Sequence, residues 1–469
     1  MQSFIKNSNS YKIPFGLILL FVFIYICPNI RFLSVGENSF FPIFIFLFGY
    51  SFFKERELYI YFLYSLTCLI YPIYNSIFET KFEDYAIVSS LMSLYILTIP
   101  ILSSITLGKI IGSRYFYLPR KKSKKEIKFI LIFVGLLFIL SALSKTYFPN
   151  FLYFFLHAGR ASYDRVSFFF TEPSNASIFI LLLLTLNIVV FGKNKLSEIL
   201  YPESQKIGLV IFISTCIVTY LSKPLTLFVQ LFFISFIYAV VILTYLLKKA
   251  FIKKRIYLSL IGLNKSLNNF LKNFLIVSLL LIIFYFLFFG SFERFSKILN
   301  SSSMQQYFIN FTQLGGFRFY YSISSLLHGI SNPLSIPGDW VEQFKPSMYY
   351  LVDLFKDEYS LIIPDPNSTL QLYKTNLLLI KPLGWFYFSF FDLGIIGFFF
   401  FTYFMLADNF KFLYKGIKKY DHFIILLFSL QIALIFLPTT TSAPYVFFPI
   451  SIVSAIREFE KNHFLISKE

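Results

Sequence analysis

Charge is scarce in this chain: Asp, Glu, Lys and Arg make up 14% of its 469 residues, against about 25% in an ordinary soluble domain. So little charge cannot cover a water-facing surface of that size, which excludes a soluble globular protein. Acidic residues are the scarcer kind, 24 against 42 Lys and Arg, for a formal net charge of +18. Nucleic-acid binding would need those cations gathered on a folded module. Here they stand in short clusters between apolar runs, as topology signals do. The three cysteines, Cys27, Cys68 and Cys216, all lie inside apolar runs without paired spacing, which argues against a disulfide framework or a thiolate metal site. The four histidines, His157, His328, His422 and His463, are scattered, and none stands within a helical turn of another. Metal-ligand spacing is therefore absent.

What is present is apolar and aromatic: 57% hydrophobic residues, 22% aromatic, and a mean hydropathy of +0.69. Runs such as 178–191, 225–247 and 274–289 recur along nearly the whole chain, bounded by Lys-rich clusters. The solvent they require is a bilayer. The first twelve residues are polar and basic, and the apolar run behind them has no small-residue cleavage site, so they read as a retained signal anchor. The pattern predicts an all-α polytopic integral membrane protein with about 12 transmembrane helices. They fall near 13–30, 40–53, 58–78, 85–107, 127–143, 174–191, 207–221, 225–247, 274–290, 383–406, 423–437 and 445–456. Most of the Lys and Arg lie on one side of this arrangement, which places the N- and C-termini inside.

Three parts follow. Residues 1–290 hold nine spans and an external loop at 144–171; residues 291–382 form one large external loop; residues 383–469 hold the last three spans and an inner tail. Turn signals at Asn332-Pro333, Pro337-Gly338 and Pro364-Asp365-Pro366 break the large loop, and the stretch from Trp340 to Phe355 looks amphipathic. Short helices lying on or near the membrane are expected there. No repeat of 20 to 50 residues is visible, and the two halves differ in loop pattern, which weakens an inverted-repeat transporter.

Polar residues collect at the outer face. Arg160, Arg165 and Arg318 lie there, and a planar guanidinium holds phosphate bidentately while keeping its charge beside a membrane. Headgroup anchoring or a salt bridge to Asp164 or Glu172 is the plainer reading of any one of them. Glu172, in Glu172-Pro173-Ser174, stands where the chain re-enters the bilayer. It either caps that helix, with Pro173 in the first turn, or accepts a proton from a hydroxyl. His328 follows Arg318 by ten residues, nearly three turns on one helix, and is either a base suited to neutral pH or a surface side chain with one hydrogen bond. Lys223, in the turn before Pro224, either snorkels or meets a phosphate. Asp392 sits about two turns inside the tenth span, the main ionisable residue at that depth, and is either a partner for an outer-loop Arg or a catalytic group. The 66 Phe and 33 Tyr are chiefly lipid-facing bulk. Tyr320, Tyr321 and Trp340 in the outer loop are better placed to touch a sugar, and better still to pack the loop down.

In this order these stretches resemble the bacterial O-antigen polymerases, a family related to the O-antigen ligases. Gly159-Arg160 through Arg165 to Phe170-Thr171-Glu172-Pro173-Ser174 is similar to the arginine-then-Glu-Pro-Ser segment of polysaccharide polymerases. Thr219-Tyr220-Leu221-Ser222-Lys223 resembles the family's Thr-x-Ser-Arg turn, with Lys replacing Arg. Arg318 through His328 to Asn332-Pro333-Leu334 and Gly338 looks like its large-loop pattern, and Asp392-Leu393-Gly394-Ile395-Ile396-Gly397 like the entry to its next span. Where the ligases carry a late His-Asn pair, this chain has Pro366-Asn367-Ser368, which favours polymerase over ligase.

The resemblance implies a metal-independent membrane glycosyltransferase with no cofactor, in the bacterial inner membrane. Its donor would be a growing glycan on undecaprenyl pyrophosphate and its acceptor another lipid-linked repeat unit, with a chain-length regulator as a further implied partner and no nucleic acid. Arg160, Arg165, Arg318 and Lys223 would then hold pyrophosphate, and Glu172 or His328 would deprotonate the attacking hydroxyl. The rival readings are an O-antigen ligase, which shares the architecture, and a flippase, against which the large loop argues.

Overall fold

The computed structural model describes residues 13–26, 34–35, 38–39, 42–49, 55–78, 84–118, 120–147, 176–191, 204–222, 225–252, 318–359, 384–418, 421–436 and 444–466, with positions 300, 367 and 370–371. Among them the chain is all-α apart from one two-residue antiparallel pair, β1 (Ser34–Val35) with β2 (Asn38–Ser39). In chain order the helices are α1 (Phe15–Ile26), α2 (Pro42–Gly49), α3 (Glu55–Phe78), α4 (Asp84–Tyr117), α5 (Arg120–Tyr147), α6 (Ala176–Phe191) and α7 (Ser204–Ser222). They continue as α8 (Leu225–Ile252), α9 (Arg318–Ser331), α10 (Trp340–Tyr359), α11 (Trp385–Lys418), α12 (His422–Phe436) and, after a 3₁₀ turn at Pro444–Phe447, α13 (Phe448–Ile466). Two stretches are long and apolar enough to cross a membrane, Ile87–Tyr115 in α4 and Trp385–Tyr403 in α11.

α4 is the centre of the bundle. Every residue from 95 to 110 is buried, as a helix that is apolar on all sides requires. Pro100 sits inside it, and its missing N–H leaves a gap in the helical ladder. The hydroxyls that follow bond back into the same turn, Ser103 Oγ to the Ile99 carbonyl at 2.6 Å and Ser104 Oγ to the Pro100 carbonyl at 2.7 Å. α13 packs most extensively on α4, and two glycines explain the close approach. A Cβ on Gly108 would run into the Ser451 carbonyl, and one on Gly112 into the Ala455 carbonyl. Small residues four apart on both helices let the backbones touch.

Side-chain ties fix the directions. Arg114 on α4 reaches the Ile13 carbonyl at 2.5 Å, and Tyr25 on α1 meets Ser104 at 2.9 Å, so α1 runs against α4. α3 also packs on α4. α2 covers eight residues of the second expected span, 40–53, and the rest of that span lies outside the described residues. The expected span at 274–290 lies outside the described residues.

The large loop carries the short helices expected of it, α9 and α10. Its helices α9 and α10 do not lie apart from the bundle; they are docked into it, α9 along α11 and α10 on α9. In α10 the apolar positions Trp340, Phe344, Met348 and Leu351 are buried while Glu342, Pro346, Tyr350 and Asp353 face outward, a one-sided stripe at helical spacing. Asp339 caps it, its Oδ1 accepting from the Val341 and Glu342 amides at 2.8 and 3.2 Å, which fixes where the helix starts.

Candidate functional site

α11 is broken where the loop meets it. Gly394 has φ 68° and ψ 172° inside the helix, a conformation open essentially to glycine alone. The break frees backbone groups, and the loop takes them: the Ser335 amide donates to the Leu393 carbonyl at 3.2 Å, and the Ile396 amide donates to the Pro333 carbonyl at 2.9 Å. A side chain at 394 would collide with Asn332 and Pro333, and one at Gly329 with the Phe390 carbonyl. The two glycines thus let α9 and its following turn lie directly on α11.

Beside this seam stands Asp392, fully buried. Its Oδ2 accepts from Tyr64 Oη at 2.9 Å and its Oδ1 from Ser93 Oγ at 2.9 Å; Ser93 Oγ in turn accepts from Trp340 Nε1 at 3.0 Å. One step along α4, Ser89 Oγ donates to the Gly338 carbonyl at 2.6 Å. One carboxylate therefore ties together α3, α4, α10 and α11. Among the described residues the partners of Asp392 are hydroxyls; the outer-loop arginines expected beside it have side chains outside the described residues. Trp340 and Tyr321 are buried, and their rings pack against Phe388 and Phe344, so both hold the loop down. The side chain of Tyr320 lies outside the described residues.

Against this anchored face α9 and α10 enclose a cleft of about 580 Å³, lined by Leu327, His328, Ser331, Asn332, Glu342, Gln343, Pro346, Ser347 and Tyr350. His328 is buried rather than on the surface, with its ring 4.8 Å from that of Phe391. Asn332 Nδ2 donates to the His328 carbonyl at 3.1 Å and lies 3.3 Å from Nδ1. The ring nitrogen facing that donor must accept, which leaves the proton on Nε2, 3.4 Å from Ser335 Oγ. Burial pushes the imidazole down to about 4, against a weaker upward pull from a backbone hydrogen bond with Gln343. His328 is thus neutral at pH 7 and in the form that accepts protons, although so weak a base drives proton transfer only slightly. Gln343 gives its Nε2 to the Ile336 carbonyl at 2.8 Å, while its Oε1 is buried with no hydrogen-bond partner among the described residues. Glu342 is exposed at the rim, 3.9 Å from Lys345.

The cleft's polar groups are hydroxyls, amides and a neutral imidazole, with Glu342 the one carboxylate and Tyr350 the aromatic ring. That inventory suits a hydroxyl-rich ligand held by directional hydrogen bonds. Of the residues singled out from the sequence, His328 and Asp392 are brought to opposite sides of the same seam. Arg318 opens α9 three turns before His328, with its side chain outside the described residues; Arg160, Arg165, Glu172 and Lys223 lie outside them altogether. Sequence reasoning passed over Tyr64, Ser93, Glu342 and Gln343. Only the last two had a signal, as the polar positions of an amphipathic stretch. Among the described residues no three or more His, Cys, Asp and Glu side chains stand together where they could hold a metal ion. No family model, curated protein or solved structure matches the chain.

Proposed function

We propose that this chain is a polytopic membrane glycosyltransferase that polymerises lipid-linked oligosaccharide repeat units, for O-antigen or for a capsular or exported polysaccharide. It would transfer the growing glycan from undecaprenyl pyrophosphate to a sugar hydroxyl of a second lipid-linked unit at the outer face of the bacterial inner membrane, with both termini cytoplasmic. The observation that carries the reading is the cleft between α9 and α10, lined largely by hydroxyl, amide and imidazole groups with one carboxylate at its rim and set in the loop on which the resemblance to the polymerases rests. The membrane setting draws on the spans themselves, about 12 by the sequence, and on exposed apolar faces such as Leu209, Ile213 and Ile217 of α7 and Phe232, Phe236 and Leu243 of α8. Faces of that size are not left to water.

In this reading Arg160, Arg165, Arg318 and Lys223 neutralise the departing pyrophosphate. Glu172 or His328 takes the proton of the attacking hydroxyl, and the acceptor sugar lies in the cleft. Displacement in one step inverts the anomeric carbon; equal anomeric configuration in donor and product would overturn that step.

The test is a surface-glycan gel from a strain lacking this gene, complemented with wild type or Arg318→Ala at equal membrane abundance. A single repeat unit in the deletion, a ladder restored by wild type, and a ladder lost with Arg318→Ala are expected, because one stabilising donor at a leaving group is worth about 10²–10³ in rate. Loss of all surface glycan in the deletion would point instead to a ligase or a flippase. An unchanged ladder would remove glycan assembly altogether.

A further inference from the structure

The turn between α9 and α10 is too deep to be external. Gly394, on which it rests, is the middle residue of the apolar stretch Trp385–Tyr403. Contacts along α9 and α11 advance together: Gly329 lies on Phe390, and Asn332 and Pro333 on Gly394. Pro333 then bonds to Ile396, Ser335 to Leu393, and Trp340 packs on Phe388. The chain thus descends beside α11 to the level of residue 396 and climbs back within seven residues. On and beside this turn stand large apolar side chains that are exposed among the described residues: Ile330 at 58%, Leu334 at 70% and Ile336 at 49%. They adjoin the outward face of α11, where Ile396, Phe399, Phe400 and Tyr403 are likewise exposed.

We infer that residues 332–338 form a re-entrant turn that dips to the middle of the bilayer, with Ile330, Leu334 and Ile336 against lipid hydrocarbon. The inference rests on the membrane reading above and goes beyond it, because it moves part of the large loop from the outer surface into the membrane. Three observations support lipid as the occupant. The exposed strip is continuous with the outer face of an apolar helix of spanning length. It lies at that helix's midpoint, where water would otherwise have to reach. Several groups of the irregular backbone are met by protein, Gln343 Nε2 donating to the Ile336 carbonyl, Ser89 Oγ to the Gly338 carbonyl, and α11 pairing with the Pro333 carbonyl and the Ser335 amide, and each such bond lowers the cost of non-helical chain at membrane depth. The cleft at His328 and Asn332 begins within a residue or two of this strip. A ligand held there meets hydrocarbon on that side, and one carried on a lipid tail can enter sideways.

The experiment places single cysteines at Leu334, at Phe399 on α11 and at Asp353 on the outward face of α10, in the full chain with its three native cysteines replaced by Ser, reconstituted in phosphatidylethanolamine–phosphatidylglycerol vesicles. Spin-label accessibility to oxygen and to a water-soluble nickel chelate, and labelling by a membrane-impermeant maleimide, are read at each site. We expect Leu334 to match Phe399, with high oxygen contact and maleimide labelling lost, while Asp353 stays labelled. Leu334 matching Asp353 while Phe399 remains in lipid would overturn the re-entrant turn and leave the membrane reading intact; water at Phe399 as well would overturn both. A benzophenone amino acid at the same three positions in the otherwise natural chain, scored by lipid adducts, gives the same three outcomes if the cysteine-free chain does not fold.

Discussion

Asp392 is a residue whose surroundings no linear pattern shows. Its two oxygens accept from hydroxyls that arrive from helices about 300 residues away in the chain. Asp392→Ala removes the shared acceptor of Tyr64 and Ser93, and a lost buried hydrogen bond of this kind costs about 1–3 kcal/mol, so a clear fall in the thermal midpoint of the detergent-purified protein is expected. Asp392→Asn keeps an acceptor and should lose distinctly less. His328 makes a second prediction. Its folded pKa lies below the ordinary value of 6.5, so the folded state binds its proton less readily than the unfolded chain. Its contribution to stability is therefore complete above pH 6.5 and is lost as pH falls from there towards about 4. Unfolding midpoints taken between pH 7 and 4.5 should drop more steeply for wild type than for His328→Gln, which has no proton to gain; parallel curves would refute it.

At the level of elements, the loop helices depend on two glycines and one amphipathic stripe. Gly394→Ala puts a side chain against Asn332 and Pro333 in a backbone region that costs a residue other than glycine about 1–3 kcal/mol. The expected result is release of α9 and α10 from α11, seen as faster proteolysis within 318–359 while the remaining helices stay protected. The α4–α13 crossing makes a comparable prediction. Gly112→Leu would force apart backbones already in contact, and overpacking of this kind costs about 1–3 kcal/mol or more, to be measured as lost thermal stability. The same bulk at the exposed Gly16, which has open space around it, should cost far less. The amphipathic stripe from Trp340 was legible because its period is local. Its docking partner was not, since Ser93 and Asp392 lie far away in sequence.

Across the whole molecule, buried polar ties join helices at both ends of α4. Opposite the Asp392 seam, Arg114 holds Glu126 with two bonds of 2.8 Å, which clamps α4 to α5. Arg457 of α13 donates to Asn409 of α11 at 2.6 Å. Breaking the buried pair on one side only, as in Glu126→Gln or Arg114→Met, should destabilise by about 3–5 kcal/mol, whereas replacing both with apolar residues of similar volume should restore most of that loss. A double-mutant cycle on unfolding free energies checks it. The sequence alone determined the helical class and the apolar runs that the helices carry. It also showed the basic clusters between them and the amphipathic start of α10, all of which follow from composition and short periods that each segment carries by itself. Only the tertiary structure decided that the loop enters the bundle, that Asp392 meets hydroxyls from two distant helices, and that His328 lines a polar cleft. Those outcomes depend on which distant surfaces fit, on two glycines thin enough to let backbones touch, and on broken-helix groups that a remote turn happens to satisfy.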